Sequence, residues 1–128
     1  MPLVRISLMK GKPAQFGKEI GEIVYQVMRS TIAIPAQDHF QVITEHDHDC
    51  LIYDPSYLDI ERTDGFLVIQ ITLNEGRTLQ AKKVLYLEIA QRLHAVLDIR
   101  TEDVLINLVE VKKENWSFGN GIAQYAQP

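Results

Sequence analysis

Displaced by a constant 65 positions, as from Ile6 to Ile71, the chain overlays on itself without a gap, residues 6–45 on residues 71–110. The identities are Ile6/Ile71, Leu8/Leu73, Gly11/Gly76, Gln15/Gln80, Lys18/Lys83, Gln26/Gln91, Ile34/Ile99, Asp38/Asp103 and Glu45/Glu110. Chance would supply about two or three. Each copy reads as an apolar run, a break containing glycine, a stretch of helical period, a second break and a second apolar run, which is β-α-β twice.

The first copy opens with Val4, Ile6 and Leu8 alternating with Arg5 and Ser7, the pattern of a strand with one buried face. Gly11 and Pro13 end it, and Pro13 suits the first turn of the following helix. Phe16, Ile20, Ile23, Val24, Val27 and Met28 share one helix face, and the helix should stop before Pro35. Phe40 to Thr44 is the returning strand. In the second copy Phe66 to Leu73 is almost wholly apolar, as in a strand covered on both faces. Thr78 can cap a helix that turns Ala81, Val84, Leu85, Ile89 and Leu93 inward, and Val104 to Val111 closes the unit.

Crossovers between parallel strands are right-handed, so the two units predict an α/β (α+β) fold: a four-stranded sheet with two helices on one face. The expected organisation is one domain spanning 1–128, with repeat one at 2–45, an inserted loop at 46–65, repeat two at 66–111 and a tail at 112–128. Gly119 and Gly121 allow a tight turn or hairpin in that tail. Apolar residues fall on both sides of the strands, so self-association should cover the second sheet face.

Composition narrows the function. The net charge is −4, and the 13 Lys and Arg are scattered, which offers no stripe for a phosphate backbone; no nucleic-acid partner is expected. Cys50 is the single cysteine, no secretory pattern opens the sequence, and no apolar run approaches the roughly 20 residues that cross a bilayer. The expectation is a cytoplasmic protein with no membrane partner. No phosphate-cradling glycine loop and no nucleophile triad can be read.

The duplicated β-α-β chain opens Met-Pro and carries a Gly76-Arg77 pair before its second helix. With the stretches MPLVRI, FQVITEHD, ITLNEGRTLQAKK and VKKENWSFGNGIAQYA, it resembles the tautomerase superfamily, with its macrophage migration inhibitory factor-like fold, and within it the subgroup containing malonate semialdehyde decarboxylase. The resemblance implies a trimer whose amino-terminal proline lies at the bottom of a pocket for small carboxylated carbonyl compounds, working without a cofactor. Carried over by position, the proline is Pro2, the acid-base or water-activating aspartate is Asp38, and the carboxylate-binding arginine is Arg77. Where the decarboxylase has a second arginine, two positions before Arg77, this chain has Glu75, an anion beside a carboxylate site, which counts against decarboxylation.

The chemistry of each residue type agrees with these roles. An amino-terminal proline offers a secondary amine on a rigid ring, provided Met1 is removed; an attached methionine would make it an amide without a basic lone pair. A neutral amine takes a proton next to a carbonyl, and a protonated one polarises a carbonyl for hydration or decarboxylation. Both states remain open. Arg77 can grip a carboxylate with two parallel hydrogen bonds beside a helix start, against the simpler role of a solvated cation. Asp38 recurs as Asp103, where no proline stands, so a turn-capping role competes evenly with an acid-base one. In the resembling enzymes such aromatics wall the pocket, which implies that role for Trp116 and Phe118, with plain packing at least an equal reading for Phe118. Phe40 could join that wall, though a strand residue belongs more readily to the core. Asn107, polar in an apolar strand, would face the pocket or pair across a subunit contact.

The run from His46 to Cys50 resembles a metal cluster, but no second ligand set accompanies it and none is assigned. Lys82, Lys83 and Arg92 read as a solvated helix face. The favoured function is keto-enol isomerisation of a small enol or 2-oxo acid, with Pro2 as base, Arg77 on the carboxylate and Asp38 assisting. A malonate semialdehyde decarboxylase or hydratase with protonated Pro2 is the first rival. A non-catalytic binder of small acids or proteins is the second.

Overall fold

In the computed structural model, which describes residues 2–126, four strands and two helices follow one another as the repeat requires. They are β1 (Leu3–Met9), α1 (Phe16–Thr31), β2 (Gln41–His46), β3 (Leu67–Asn74), α2 (Leu79–Leu97) and β4 (Val104–Val111). Met1, whose removal would bare the Pro2 amine, lies outside the described residues, as do Gln127 and Pro128 at the end of the tail.

The sheet order is β2-β1-β3-β4, with β1 parallel to β2, β3 parallel to β4, and the two units joined antiparallel through β1 and β3. Alternation decides the faces. Val4, Ile6 and Leu8 of β1 and Leu67, Ile69, Ile71 and Leu73 of β3 are buried in one cluster with Ile20, Val24 and Val27 of α1 and Leu85, Ile89 and Leu93 of α2. Burial of such side chains stabilises by about 1.5–3 kcal/mol each, which makes this cluster the main support of the fold. The opposite sheet face has no helix over it. Val42, Leu105 and Val109 stand there exposed, and Val68, Gln70 and Thr72 are half-buried. The strand expected to be covered on both faces is therefore dry on one side within a single chain.

Local chemistry sets the ends of the elements. Thr78 caps α2 as expected, its Oγ1 accepting from the Ala81 N–H at 3.1 Å, and Asp98 ends that helix in the left-handed region. Pro13 is not in the first turn of α1: its carbonyl accepts the Phe16 N–H at 2.9 Å and closes a separate turn before the helix. Val84, expected inward, is exposed, because Leu85, Ile89 and Leu93 carry the buried stripe of α2. Lys82 does not simply point to water, since its Nζ donates to Glu110 of β4 at 2.7 Å. Phe40 precedes β2 and is 51 % exposed, not core; it shares the parity of Val42 and Thr44, whose side chains stand on the helix-free face.

Candidate active site

The topology brings four distant stretches to one corner. Strands β1 and β3 are antiparallel, so the start of β1 adjoins the end of β3. Strand β2 runs parallel to β1, which puts the loop before β2 at that corner, and β4 runs parallel to β3, which delivers the tail there. Pro2, Asp38, Arg77 and Trp116 come from these four stretches.

Pro2 is buried and enters β1 directly, where the Val4 N–H donates to the Phe40 carbonyl at 3.1 Å and ties the start of the chain to the Asp38 loop. Asp38 is only 8 % exposed, and its N–H donates to the Pro35 carbonyl at 3.1 Å, a turn that fixes where its carboxyl stands. Burial raises the pKa of that carboxyl, while the positive charges of the amino terminus and of Arg77 pull it down. The loop is also pinned from α1: the Tyr25 hydroxyl donates to the Ala36 carbonyl, and the Tyr25 ring stacks on His39 at 4.1 Å.

Arg77 lies between β3 and α2; its Nη1 donates to the Asn74 carbonyl at 3.1 Å, and its charge reaches the carboxyl groups of Asp38 and Glu110. Glu75, beside it, is exposed, and its N–H donates to the Val111 carbonyl at 2.9 Å. The tail reaches the end of β3. Trp116 donates its indole N–H to Asn74 Oδ1 at 2.7 Å and stacks on Phe118 at 5.5 Å between ring centres, and Tyr125 meets Phe118 edge-on at 4.9 Å. Gly119 and Gly121, both at positive φ, give the tail the turn that lets Gln124 bond the Phe118 N–H and the Gly119 carbonyl.

Two other named residues stand apart from this group in the single chain. Asn107 lies mid-strand on the uncovered face of β4, where its Oδ1 accepts from Gln70 at 3.0 Å, four residues or about 13 Å along the strand from Val111. Phe40 has its backbone at the corner, and its side chain is 51 % exposed. Sequence reasoning missed Asn74. Its signal was present: a polar residue closing an apolar strand directly before the Glu75-Gly76-Arg77 turn, where the first copy has Met9.

Among the described residues no group of three or more His, Cys, Asp or Glu converges as a metal site, and no helix is long and apolar enough to cross a membrane. In the run from His46 to Cys50, Asp47 pairs with Lys10 at 3.3 Å and His48 with Asp64 at 3.4 Å, both exposed. A cavity of about 650 Å³ beside α1 and β2 is lined by Lys18, Glu19, Glu22 and His39. Its two glutamates make it a poor receptor for a carboxylate, and the corner at Pro2 has the better chemistry.

Residues 38–119 match the family model described as tautomerase enzyme. The chain is 43 % identical to the probable tautomerase YusQ of Bacillus subtilis, over 97 % of this chain and 98 % of that protein. It is 30 % identical to the probable tautomerase YrdN of the same organism, over 98 % and 96 %. Among solved structures, FG41 malonate semialdehyde decarboxylase inhibited by 3-bromopropiolate is 31 % identical, with a TM-score of 0.89 over 98 % of this chain and 99 % of that one. A fused 4-OT symmetric trimer, at 20 % identity and a TM-score of 0.79, shares the fold.

Proposed function

This chain belongs to the tautomerase enzyme family, and we propose that it ketonises a small enol or 2-oxo carboxylic acid with Pro2 as general base. The observation that carries the reading is the convergence of the Pro2 strand, Asp38 and Arg77 at one corner, where the Val4 N–H bonds the Phe40 carbonyl and the Arg77 charge reaches the buried Asp38 carboxyl. With Met1 removed, the Pro2 nitrogen is a secondary amine. One proton leaves the enol oxygen and one is delivered to the neighbouring carbon, so the C=C bond becomes single and the C–O bond double. Arg77 holds the carboxylate, Asp38 assists the transfer, and Trp116 and Phe118 exclude water from one side.

Three copies of the chain complete the assembly in this reading, each covering the helix-free sheet face of another and bringing Phe40 and Asn107 to a shared boundary. Sedimentation should then report three times 14.6 kDa. A second reading is supported by Asp38 itself. Its carboxylate beside the amine would keep Pro2 protonated, the state suited to decarboxylation or hydration of a 3-oxo acid, and the 31 % identical relative is a malonate semialdehyde decarboxylase.

The test is ultraviolet-monitored ketonisation of phenylenolpyruvate by protein whose mass shows Met1 absent, alongside Pro2→Ala. Turnover that disappears in the variant supports the tautomerase. Turnover of malonate semialdehyde alone moves the assignment to the second reading.

A further inference from the structure

The wall and the anion anchor of this corner share one residue. Asn74 is the last residue of β3; its side-chain Oδ1 accepts the Trp116 indole N–H at 2.7 Å, and its main-chain carbonyl accepts from Arg77 Nη1 at 3.1 Å. An indole nitrogen can only donate, so the orientation of the Asn74 amide is fixed, with oxygen toward the ring. The strand end itself is held, because the next residue's N–H bonds the Val111 carbonyl of β4 at 2.9 Å. The indole plane and the guanidinium are thus both referred to one rigid point at the end of a sheet, although Trp116 belongs to a tail without strand structure. The stacking partner of the Trp116 ring, Phe118, is in the same tail and offers no tie of this kind to the sheet.

We propose that Asn74 is a positioning residue that sets the spacing between the Trp116 wall and Arg77, and so makes the site prefer, among small 2-oxo acids, those that carry a flat aromatic group over those of pyruvate size. The inference rests on the tautomerase reading. An acid gripped by Arg77 through its carboxylate reaches the indole face only if it carries a planar group, and that contact has value only while the ring is held at the right distance. A small acid such as pyruvate uses the anchor alone. Losing the Asn74–Trp116 bond should therefore separate the two ligands, whereas general loosening of the fold would weaken both.

Trp116 is the single tryptophan, so its emission reports the bond and the ligand directly. Full-length protein lacking Met1, with Asn74→Ala and Asn74→Asp, is titrated with phenylpyruvate and with pyruvate. In Asn74→Ala the emission should shift to the red and phenylpyruvate should bind about tenfold more weakly, a change of about 1.4 kcal/mol and near the upper range for one hydrogen bond, with pyruvate within about twofold. Asn74→Asp keeps an acceptor for the indole N–H. It should hold the wild-type emission, and its added charge should weaken both acids alike, preserving the preference.

If Asn74→Ala does not fold, Trp116→Phe, which retains a ring and removes the N–H, must lose the same preference when binding is measured by calorimetry. An Asn74→Ala protein that keeps the wild-type preference, or an Asp variant whose emission shifts as the Ala variant's does, overturns the role given to Asn74. So does a wild type with no preference between the acids. A wild type that binds neither acid overturns the tautomerase reading first, and this inference with it.

Discussion

The corner around Asp38 and its repeat counterpart around Asp103 are built on one plan and put to different uses. Ala33 and Asp98 both adopt φ near +55°, at 56° and 55°; Ile34 and Ile99 behind them are both buried; and the two aspartate N–H groups donate to Pro35 and Arg100 carbonyls at 3.1 and 3.0 Å. The other loops match as well. Gly11 and Gly76 both take positive φ, and Lys10 and Glu75 both donate across the sheet at 2.9 Å, to His46 and Val111. The carboxylates diverge. Asp103 accepts the Thr63 N–H at 2.7 Å, the Thr63 hydroxyl at 2.6 Å and Arg100 at 3.4 Å, so it stitches the inserted loop to β4. Asp38 feels the charge of Arg77, and its loop is tied to the start of β1 by the Val4 N–H on the Phe40 carbonyl. Duplication supplied two equivalent turns, but only one lies beside the beginning of the chain, where an amine can exist.

Breaking the amine is the largest test of this asymmetry. Pro2→Ala should lower kcat/KM for phenylenolpyruvate by about 10²- to 10⁴-fold, the usual range for a positioned proton-transfer group, and retention of Met1 should do the same to wild type. Fold stability should move little, since Pro2 precedes β1 and lies outside its strand pairing.

The aspartates should then separate stability from activity. Asp103→Ala removes the buried carboxylate that accepts from the Thr63 N–H and hydroxyl, and urea unfolding should show a loss of about 2 kcal/mol. Asp38→Ala should cost less than about 1 kcal/mol while reducing turnover. Equal stability losses would return Asp38 to the turn-capping role that Asp103 plays. On the cation side, Arg77→Ala should raise KM about tenfold or more, as expected for loss of a charge-assisted carboxylate contact, and Lys12→Ala, its repeat counterpart, should leave KM unchanged.

Most of the fold was legible because the repeat states it twice: a period-2 strand and a helical stripe in one copy corroborate the same elements in the other. The departures fall where a neighbour decides. Pro13 reads as a helix starter by its own chemistry, but its carbonyl is taken by Phe16 in a preceding turn. Phe40 reads as core because aromatic strand residues usually are, and only the missing cover on its sheet face makes it exposed. Sequence put Asp38 and Asp103 on equal terms, since nothing in the letters says which carboxylate meets Thr63. Asn74 gives no signal of its partner, because strand position alone cannot say where a tail of irregular structure will bring Trp116.

The smallest expected effect concerns the pH dependence of the same aspartate. Burial outweighs the opposing charges and raises the Asp38 pKa above its ordinary 3.8 in the folded protein. The unfolded chain then releases that proton at lower pH than the folded one, so the folded state binds more protons between the two values and stability falls as pH rises through them. The contribution is fully present below 3.8 and lost above the raised value. Asp38→Asn, which cannot ionise, escapes this decline, so the variant should gain on wild type in urea unfolding between pH 3.5 and 7, the remaining carboxylates cancelling in the comparison. A wild type that instead gains on the variant as pH rises would mean that the amino terminus and Arg77 dominate Asp38. That outcome would place a carboxylate firmly paired with the amine at this corner, and would favour the protonated proline of the decarboxylase reading.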